Sequence, residues 1–101
     1  MAFVGTAYAE LLGGADIRQT VTGETLKMRR SGLTLRLTLA EDGTAMGRMG
    51  PVRQSGSWSV EGDQLCIDMP RRPSGAARCQ TITRLSSTEL YSSNGITLTI
   101  E

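Results

Sequence analysis

Residues 33–43 read LTLRLTLAEDG, and this stretch decides the fold. Its first seven residues alternate leucine with threonine or arginine, and a period of two is typical of a strand with one buried face. Asp42-Gly43 then gives one of the strongest hairpin signals, because the two central residues of such a turn need positive φ. The stretch therefore predicts a β-strand that turns back into an antiparallel partner.

The same pattern recurs on both sides of this strand. Turn signals follow one another at steps of roughly ten residues, the spacing of all-β domains. The links are too short for crossover helices, so neighbouring strands should pair antiparallel. We therefore expect an all-β fold, an antiparallel up-and-down meander of about eight short strands that closes into a small barrel and so removes its exposed edges. The predicted strands lie at about residues 25–29, 33–40, 44–49, 52–60, 64–69, 77–83, 88–92 and 96–100.

One short helix should precede the strands. Residues 14–22 read GADIRQTVT and place Ile17 and Val21 on one helix face, and Gly23 follows as a stop signal. The helix could plug one end of the barrel. With about eight strands the interior is just wide enough for side chains to fill it, so a large ligand cavity is not the default expectation.

The N-terminus is interpreted separately from the fold. Residues 1–9 end in Ala-Tyr-Ala, which fits the small-x-small rule of signal cleavage, but they lack a basic n-region. We interpret residues 1–9 as a leader remnant or a disordered N-terminus, and residues 10–101 as a single β-barrel domain. No stretch approaches the ~20 apolar residues of a membrane span.

The charges are balanced in number but uneven in kind. The formal net charge is +1, which gives no reason to expect nucleic acid or another polyanion as a partner. Lys27 is the only lysine, and nine of the ten arginines lie between Arg29 and Arg84. An arginine-rich surface for carboxylates or phosphates and an ordinary solvated surface both account for this excess.

The two cysteines predict a covalent link. Cys66 and Cys79 fall in consecutive predicted strands, and folding that hairpin places them opposite each other, within reach of disulfide geometry. A metal pair and two unrelated buried thiols are the alternatives, although two thiols without histidine are too few ligands for a closed zinc site. We expect a disulfide, and with it a periplasmic or secreted protein.

The sequence offers no catalytic set. It contains no histidine, which excludes Ser-His and Cys-His triads, and we predict no catalytic residue, metal or cofactor. Trp58, the lone tryptophan, is interpreted as a core anchor that covers one barrel end. Four methionines either line an adaptable apolar surface or fill gaps in the core: Met28, Met46, Met49 and Met69.

A candidate interaction patch surrounds the cysteine hairpin. It combines Asp68, the one acid inside a predicted strand, with Arg71, Arg72 and Arg78. The alternative is that Asp68 is an ordinary outward strand residue, paired with Arg78 across the hairpin.

Residues 56–66 read GSWSVEGDQLC, with Cys79 following. This string resembles the G-x-W-x-x-x-G-x-x-L-C…C core of small secreted bacterial proteins of uncharacterised function, and the likeness covers most of residues 14–82. The resemblance implies an exported β domain with paired cysteines and no particular reaction. More distantly, the expected size and topology resemble calycin-like barrels, which include periplasmic inhibitors of lysozymes and proteases.

Three function classes follow from these observations. We expect a non-enzymatic, exported or periplasmic protein-interaction domain, inhibitor-like in its scaffold, with an unknown partner in the cell envelope. The alternative is a carrier for a small apolar ligand, which requires a pocket of about 300 Å³ or more lined by Leu, Ile and Met. An enzyme would need carboxylates clustered in a cleft with strongly perturbed pKa values.

Overall fold

The computed structural model describes residues 9–30, 32–70 and 78–101. Within these ranges the fold is all-β with one short helix, as predicted. The elements are β1 (Glu10–Leu11), α1 (Gly14–Val21), β2 (Thr25–Arg30), β3 (Leu33–Leu39), β4 (Thr44–Met49), β5 (Val52–Glu61), β6 (Gln64–Asp68), β7 (Cys79–Gln80), β8 (Ile82–Arg84), β9 (Glu89–Ser92) and β10 (Thr97–Ile100). Residues 1–8 lie outside the described ranges, so the interpretation of the N-terminus stays a prediction.

All the strands belong to one antiparallel sheet, in the order β1-β8-β9-β10-β2-β3-β4-β5-β6-β7. β7 lies at one end of this order and β8 next to the other end, yet only Thr81 separates them along the chain. One extended stretch therefore pairs with β6 through its first residues and with β9 through its last. The sheet curls into a half-barrel, with edge strands of two residues each, which leaves little edge for another chain to pair with.

The structure has ten strands in its described part rather than about eight, for two local reasons. The predicted strand at 77–83 is divided at Thr81, whose N–H bonds to Ser93 Oγ at 3.1 Å instead of joining a ladder. β1, which the sequence did not predict, adds two residues that pair with β8. Two-residue strands carry too short a pattern for a period of two to show.

The period of two separates an inner and an outer face. In β3, Leu37 and Leu39 are buried inside the curl, whereas Arg36 points outward. Leu33 begins the same alternation but is 56% exposed, because it stands at the tip of the β2–β3 hairpin, beyond the core. The leucine run therefore predicts the strand correctly and only half of it forms core. The buried core cluster comprises Leu12, Ile17, Val21, Leu26, Leu37, Leu39, Ala45, Trp58, Leu65, Ile82, Leu90 and Leu98.

Helix α1 covers one end of the half-barrel. Ile17 and Val21 are fully buried against the sheet, and the N–H of Gly14 donates to Asp63 Oδ1 at 2.8 Å. The helix starts so close to the β5–β6 turn that a Cβ at Gly14 would lie 2.2 Å from the carbonyl oxygen of Gly62. We call this the closed end, and the opposite end, with the tips of the β2–β3 and β4–β5 hairpins, the open end.

Trp58 lies in the core towards the closed end. Its side chain is 7% exposed, and its indole Nε1 donates to the carbonyl oxygen of Ala40 at 2.8 Å. The β3–β4 turn is thereby tied to β5, since a buried indole N–H needs an acceptor. None of the helices in the described part of the chain is both long and apolar enough to cross a membrane.

Candidate functional site at the open end

The structure joins Cys66 and Cys79 in a disulfide, as predicted. They lie directly opposite each other on β6 and β7, and the neighbouring N–H of Ile67 donates to the carbonyl oxygen of Arg78 at 2.9 Å. The cysteines therefore form a non-hydrogen-bonded pair, in which facing side chains approach most closely. Cys66 is fully buried, so the bond is sheltered from solvent on the β6 side.

The metal alternative for these cysteines fails. In the described ranges, one group of potential metal ligands lies close together, formed by a Glu61 oxygen and the two sulfurs within 4.8 Å of one another. Both sulfurs are bonded to each other, so neither is a thiolate, the form in which cysteine binds a metal.

The predicted interaction patch is only partly within the described residues. Arg71 and Arg72 lie outside them, and Asp68 is exposed on β6 opposite Ser57. Arg78 pairs with Glu61, with 2.8 Å between its Nη2 and Oε2. The patch as a unit thus stays a prediction, while its one described arginine already has a carboxylate partner.

The Glu61–Arg78 pair shifts the pKa of both groups. The hydrogen bond and positive charge of Arg78 lower the pKa of Glu61, and a further hydrogen bond from Ser59 acts in the same direction. The hydrogen bond and negative charge of Glu61 raise the pKa of Arg78, to which the charge of Asp68 adds. The sequence placed Glu61 at a turn and gave no sign of this partner, because the pairing depends on the register of β5, β6 and β7.

An apolar pocket of about 390 Å³ opens at the open end. Its walls are mostly residues that point to the inner face around that end, and two of them, Met49 and Val52, are 39% and 50% exposed. The residues that line this pocket, called the apolar pocket below, are Met28, Leu35, Leu37, Gly47, Arg48, Met49, Val52, Gln54, Ile67 and Met69. Three of the four methionines noted in the sequence therefore line it, and Met46 lies on the outer face.

Two glycines and a methionine shape this pocket. A Cβ at Gly47 would lie 3.1 Å from Met69 Cε, and a Cβ at Gly56 would lie 2.8 Å from Met69 Sδ. Met69 thus lies across two inner-face positions that have no side chain. Since methionine is unbranched and has three rotatable side-chain bonds, this wall can adapt to the shape of an occupant.

A smaller cavity lies next to the apolar pocket, among residues of the core. That cavity holds about 120 Å³ and shares Met28, Leu37 and Ile67 with the apolar pocket. Side chains such as Leu26 and Leu98 fill most of the remaining interior. The room for a ligand is therefore at the open end rather than at the centre.

The outer face next to the pocket carries a row of basic residues. Strand pairing places Lys27 opposite Arg36, Arg36 opposite Arg48, and Arg48 opposite Arg53. We call these four residues the basic row. Like charges directly opposite each other on neighbouring strands destabilise a sheet. The basic row therefore lowers the stability of the fold unless negatively charged groups neutralise it.

The compensation is uneven along the basic row. Arg36 Nε bonds to Glu101 Oε1 at 2.9 Å, whereas Arg48 and Arg53 have no carboxylate partner among the residues that the structure describes. A groove of about 630 Å³ runs past all three arginines, and we call it the outer groove. The sequence showed the arginine excess, but these residues are far apart along the chain and only the register brings them together.

Comparison with known proteins identifies no relative of this chain. The chain matches no protein-family model, no curated protein and no solved structure. The resemblance of residues 56–66 to small secreted bacterial proteins, and the more distant one to calycin-like barrels, therefore stay predictions.

Proposed function

We propose that this chain is a non-enzymatic binding domain of an oxidising compartment outside the cytoplasm, and that its open end binds a small apolar ligand. The observation that carries the proposal is the apolar pocket. Its volume of about 390 Å³ lies within the range of roughly 300–1,000 Å³ found for small-molecule sites. This reverses the order of the two functions expected from the sequence.

The composition of the pocket favours an apolar ligand. Met28, Leu35, Ile67 and Met69 supply most of the wall, with Gln54 and Arg48 as polar groups at its margin. A contiguous exposed apolar patch on a small domain often marks a binding surface. Covering them would stabilise the complex by about 25 cal/mol per Å² of apolar surface.

The proposal that the domain is not an enzyme rests on the carboxylates of the described residues and on what shifts their pKa values. The backbone N–H of Thr44 lowers the pKa of Asp42 through a hydrogen bond within a turn. The pKa of Glu61 is lowered by an exposed ion pair. These are surface and turn interactions, whereas catalytic carboxylates are tuned by burial in a cleft.

The proposed compartment rests on the disulfide. Disulfides persist in the periplasm and outside the cell, and are rare where thioredoxin and glutathione keep thiols reduced. A test is the redox state of the cysteines in cells, read by thiol alkylation of rapidly acidified extracts. Free thiols in the isolated native pool would refute this part of the proposal.

Binding is tested with a neutral apolar dye, N-phenyl-1-naphthylamine, whose emission rises in an apolar site. We expect saturable binding by the wild type and weaker binding by Val52→Asp, which places a charge on the rim at a half-exposed position. The matched control is Leu11→Asp, since Leu11 is 66% exposed on β1, away from the pocket. It should bind the dye like the wild type.

A second variant tests the pocket by filling it. Gly47→Val adds a side chain between Leu35 and Met69 at a strand position that suits a β-branched residue. We expect it to fold, as judged by its urea unfolding midpoint, and to lose dye binding. Dye binding unchanged in folded Gly47→Val and in Val52→Asp would overturn the apolar-ligand proposal.

One specific observation favours the second candidate function, binding of a partner protein. Leu33 and Val52 stand exposed at two neighbouring hairpin tips, where a partner protein could cover both. A Leu33→Asp variant should then lose capture of that partner from a cell-envelope extract while keeping dye binding. Equal capture by wild type and variant removes this rim from consideration.

A further inference from the structure

We propose that the ligand is an anionic amphiphile, whose alkyl chain enters the apolar pocket and whose carboxylate or phosphate is held by Arg48 and Arg53. This inference rests on the proposed apolar-ligand function and specifies its ligand. It follows from the position of the basic row beside the pocket.

The two sites share a wall. Arg48 and Gln54 line both the apolar pocket and the outer groove. Along the β4–β5 hairpin, Met49 faces Val52 at the tip, and the next pair is Arg48 with Arg53. Met49 and Val52 point to the inner face and Arg48 and Arg53 to the outer face, so a ligand chain that leaves the pocket over this tip brings its headgroup to the face that carries the guanidinium groups.

The charges there are unbalanced in the absence of a ligand. Arg48 and Arg53 face each other as like charges, and within the described ranges neither has a carboxylate partner. A carboxylate or phosphate between them would accept charge-assisted hydrogen bonds from both guanidinium groups, which match the geometry of such anions. Ligand binding would thereby turn a repulsive cross-strand pair into a bridged one.

The geometry fits a single headgroup better than an extended polyanion. Arg36, the next residue of the row, already bonds to Glu101, and the Glu101 carboxylate also lines the outer groove. A long anionic chain along the row would meet that negative charge. The positive charge beside the pocket is therefore that of Arg48 and Arg53, whereas Lys27 lies beyond Arg36 at the other end of the row.

The experiment measures how ten-carbon ligands displace N-phenyl-1-naphthylamine from the wild type. The set is decanoate, decyl phosphate, decanol and decyltrimethylammonium, which share the chain and differ in the headgroup. We expect the better anion to displace the dye at a concentration about tenfold or more below that of decanol, since hydrogen bonds to charged groups are the stronger ones. Decyltrimethylammonium should be the weakest. Comparison of decanoate with decyl phosphate identifies the preferred anion.

Two variants and one control assign the preference to residues. Arg53→Gln should reduce the ratio of anion to decanol affinity severalfold while decanol itself displaces the dye as before, because Arg53 lines the outer groove and not the apolar pocket. Arg48→Gln should also reduce the ratio, measured against its own decanol affinity because Arg48 lines the pocket as well. Arg18→Gln, which changes an exposed arginine of α1 at the closed end, should leave the ratio unchanged. Raising the salt concentration to about 0.5 M should also reduce the ratio, since exposed charges are screened.

The outcomes separate this inference from the function on which it rests. If decanol and the dye bind but the anions have no advantage, or if the advantage survives both substitutions, the headgroup assignment is wrong and the apolar-ligand function stands. If the wild type binds neither the dye nor decanol, the apolar-ligand function itself is wrong.

Discussion

Removal of the disulfide should cost this domain a large share of its stability. The cysteines are separated by 13 residues in sequence, so the bond closes a loop of about 14 residues, and the chain-entropy relation gives about 3 kcal/mol for such a loop. Small domains are stable by only about 5–15 kcal/mol. The bond also holds β7, a strand of two residues that pairs with β6 at two positions, one of them the cysteine pair itself.

The variant that tests this value is Cys66→Ala with Cys79→Ala. Alanine is preferred to serine because Cys66 is fully buried, and a buried hydroxyl without a partner would add its own cost of about 1–3 kcal/mol. We expect a loss of about 3 kcal/mol in the free energy of unfolding, measured by urea denaturation. With a slope of about 1–1.5 kcal/mol per molar urea, the midpoint should fall by about 2–3 M.

Chemical reduction gives an independent measurement on the wild type. Unfolding in dithiothreitol should give nearly the same midpoint as the double variant, since both lack the cross-link and differ only in the thiols. The entropic reasoning is refuted if the double variant is less than about 1 kcal/mol less stable than the oxidised wild type. Hydrogen exchange should then show whether β6 and β7 open before the rest of the sheet.

Two further perturbations test the closed end and the surface charges. Gly14→Ala should lose about 1–3 kcal/mol of stability by urea denaturation, because its Cβ would lie 2.2 Å from the Gly62 backbone oxygen. The control is Gly13→Ala, whose Cβ would have no heavy atom nearer than 3.7 Å. Equal losses of stability in the two variants would contradict the packing argument. Because Arg78 lowers the pKa of Glu61 from its ordinary value of 4.5, the ionised form stabilises the fold above that pH, and this contribution is lost as the pH falls through the lowered pKa. The difference in urea midpoint between wild type and Glu61→Gln should therefore be present at neutral pH and shrink as the pH falls below 4.5 and through the lowered pKa of Glu61. A difference that does not change across this acid range argues against the ion pair as its cause.

The strands could be predicted because their signals are local. The alternation of residues 33–39 and the turn at Asp42-Gly43 act over a few neighbours, and Gly43 adopts the expected positive φ of 91°. The bounds of β3 and β4 agree with the prediction to within one residue. Burial was harder to predict, since Leu33 and Leu39 carry the same pattern while only Leu39 lies under the core.

The candidate site could not be predicted, because it depends on contacts between distant parts of the chain. Gly47 and Gly56 give no sign of a pocket in the sequence, because the pocket depends on Met69, the residue after β6, lying across them. Arg48 and Arg53 look like two solvated charges until the register places them opposite each other. The cysteines are the exception, because a single short hairpin brings them together and the turn-rich link is visible in the sequence.

The β4–β5 hairpin explains why an apolar wall and a basic row occur side by side. Successive residues of a strand point to opposite faces, so Met49 lines the inside and Arg48 the outside, and the same holds for Val52 and Arg53. The tight turn between them includes Gly50 with φ of 58° and sets this register. A slip by one residue would turn the arginines into the pocket and the apolar side chains outward. The proposed binding of an alkyl chain together with its charged end therefore depends on this turn, which places the apolar wall and the arginines on opposite faces of one hairpin.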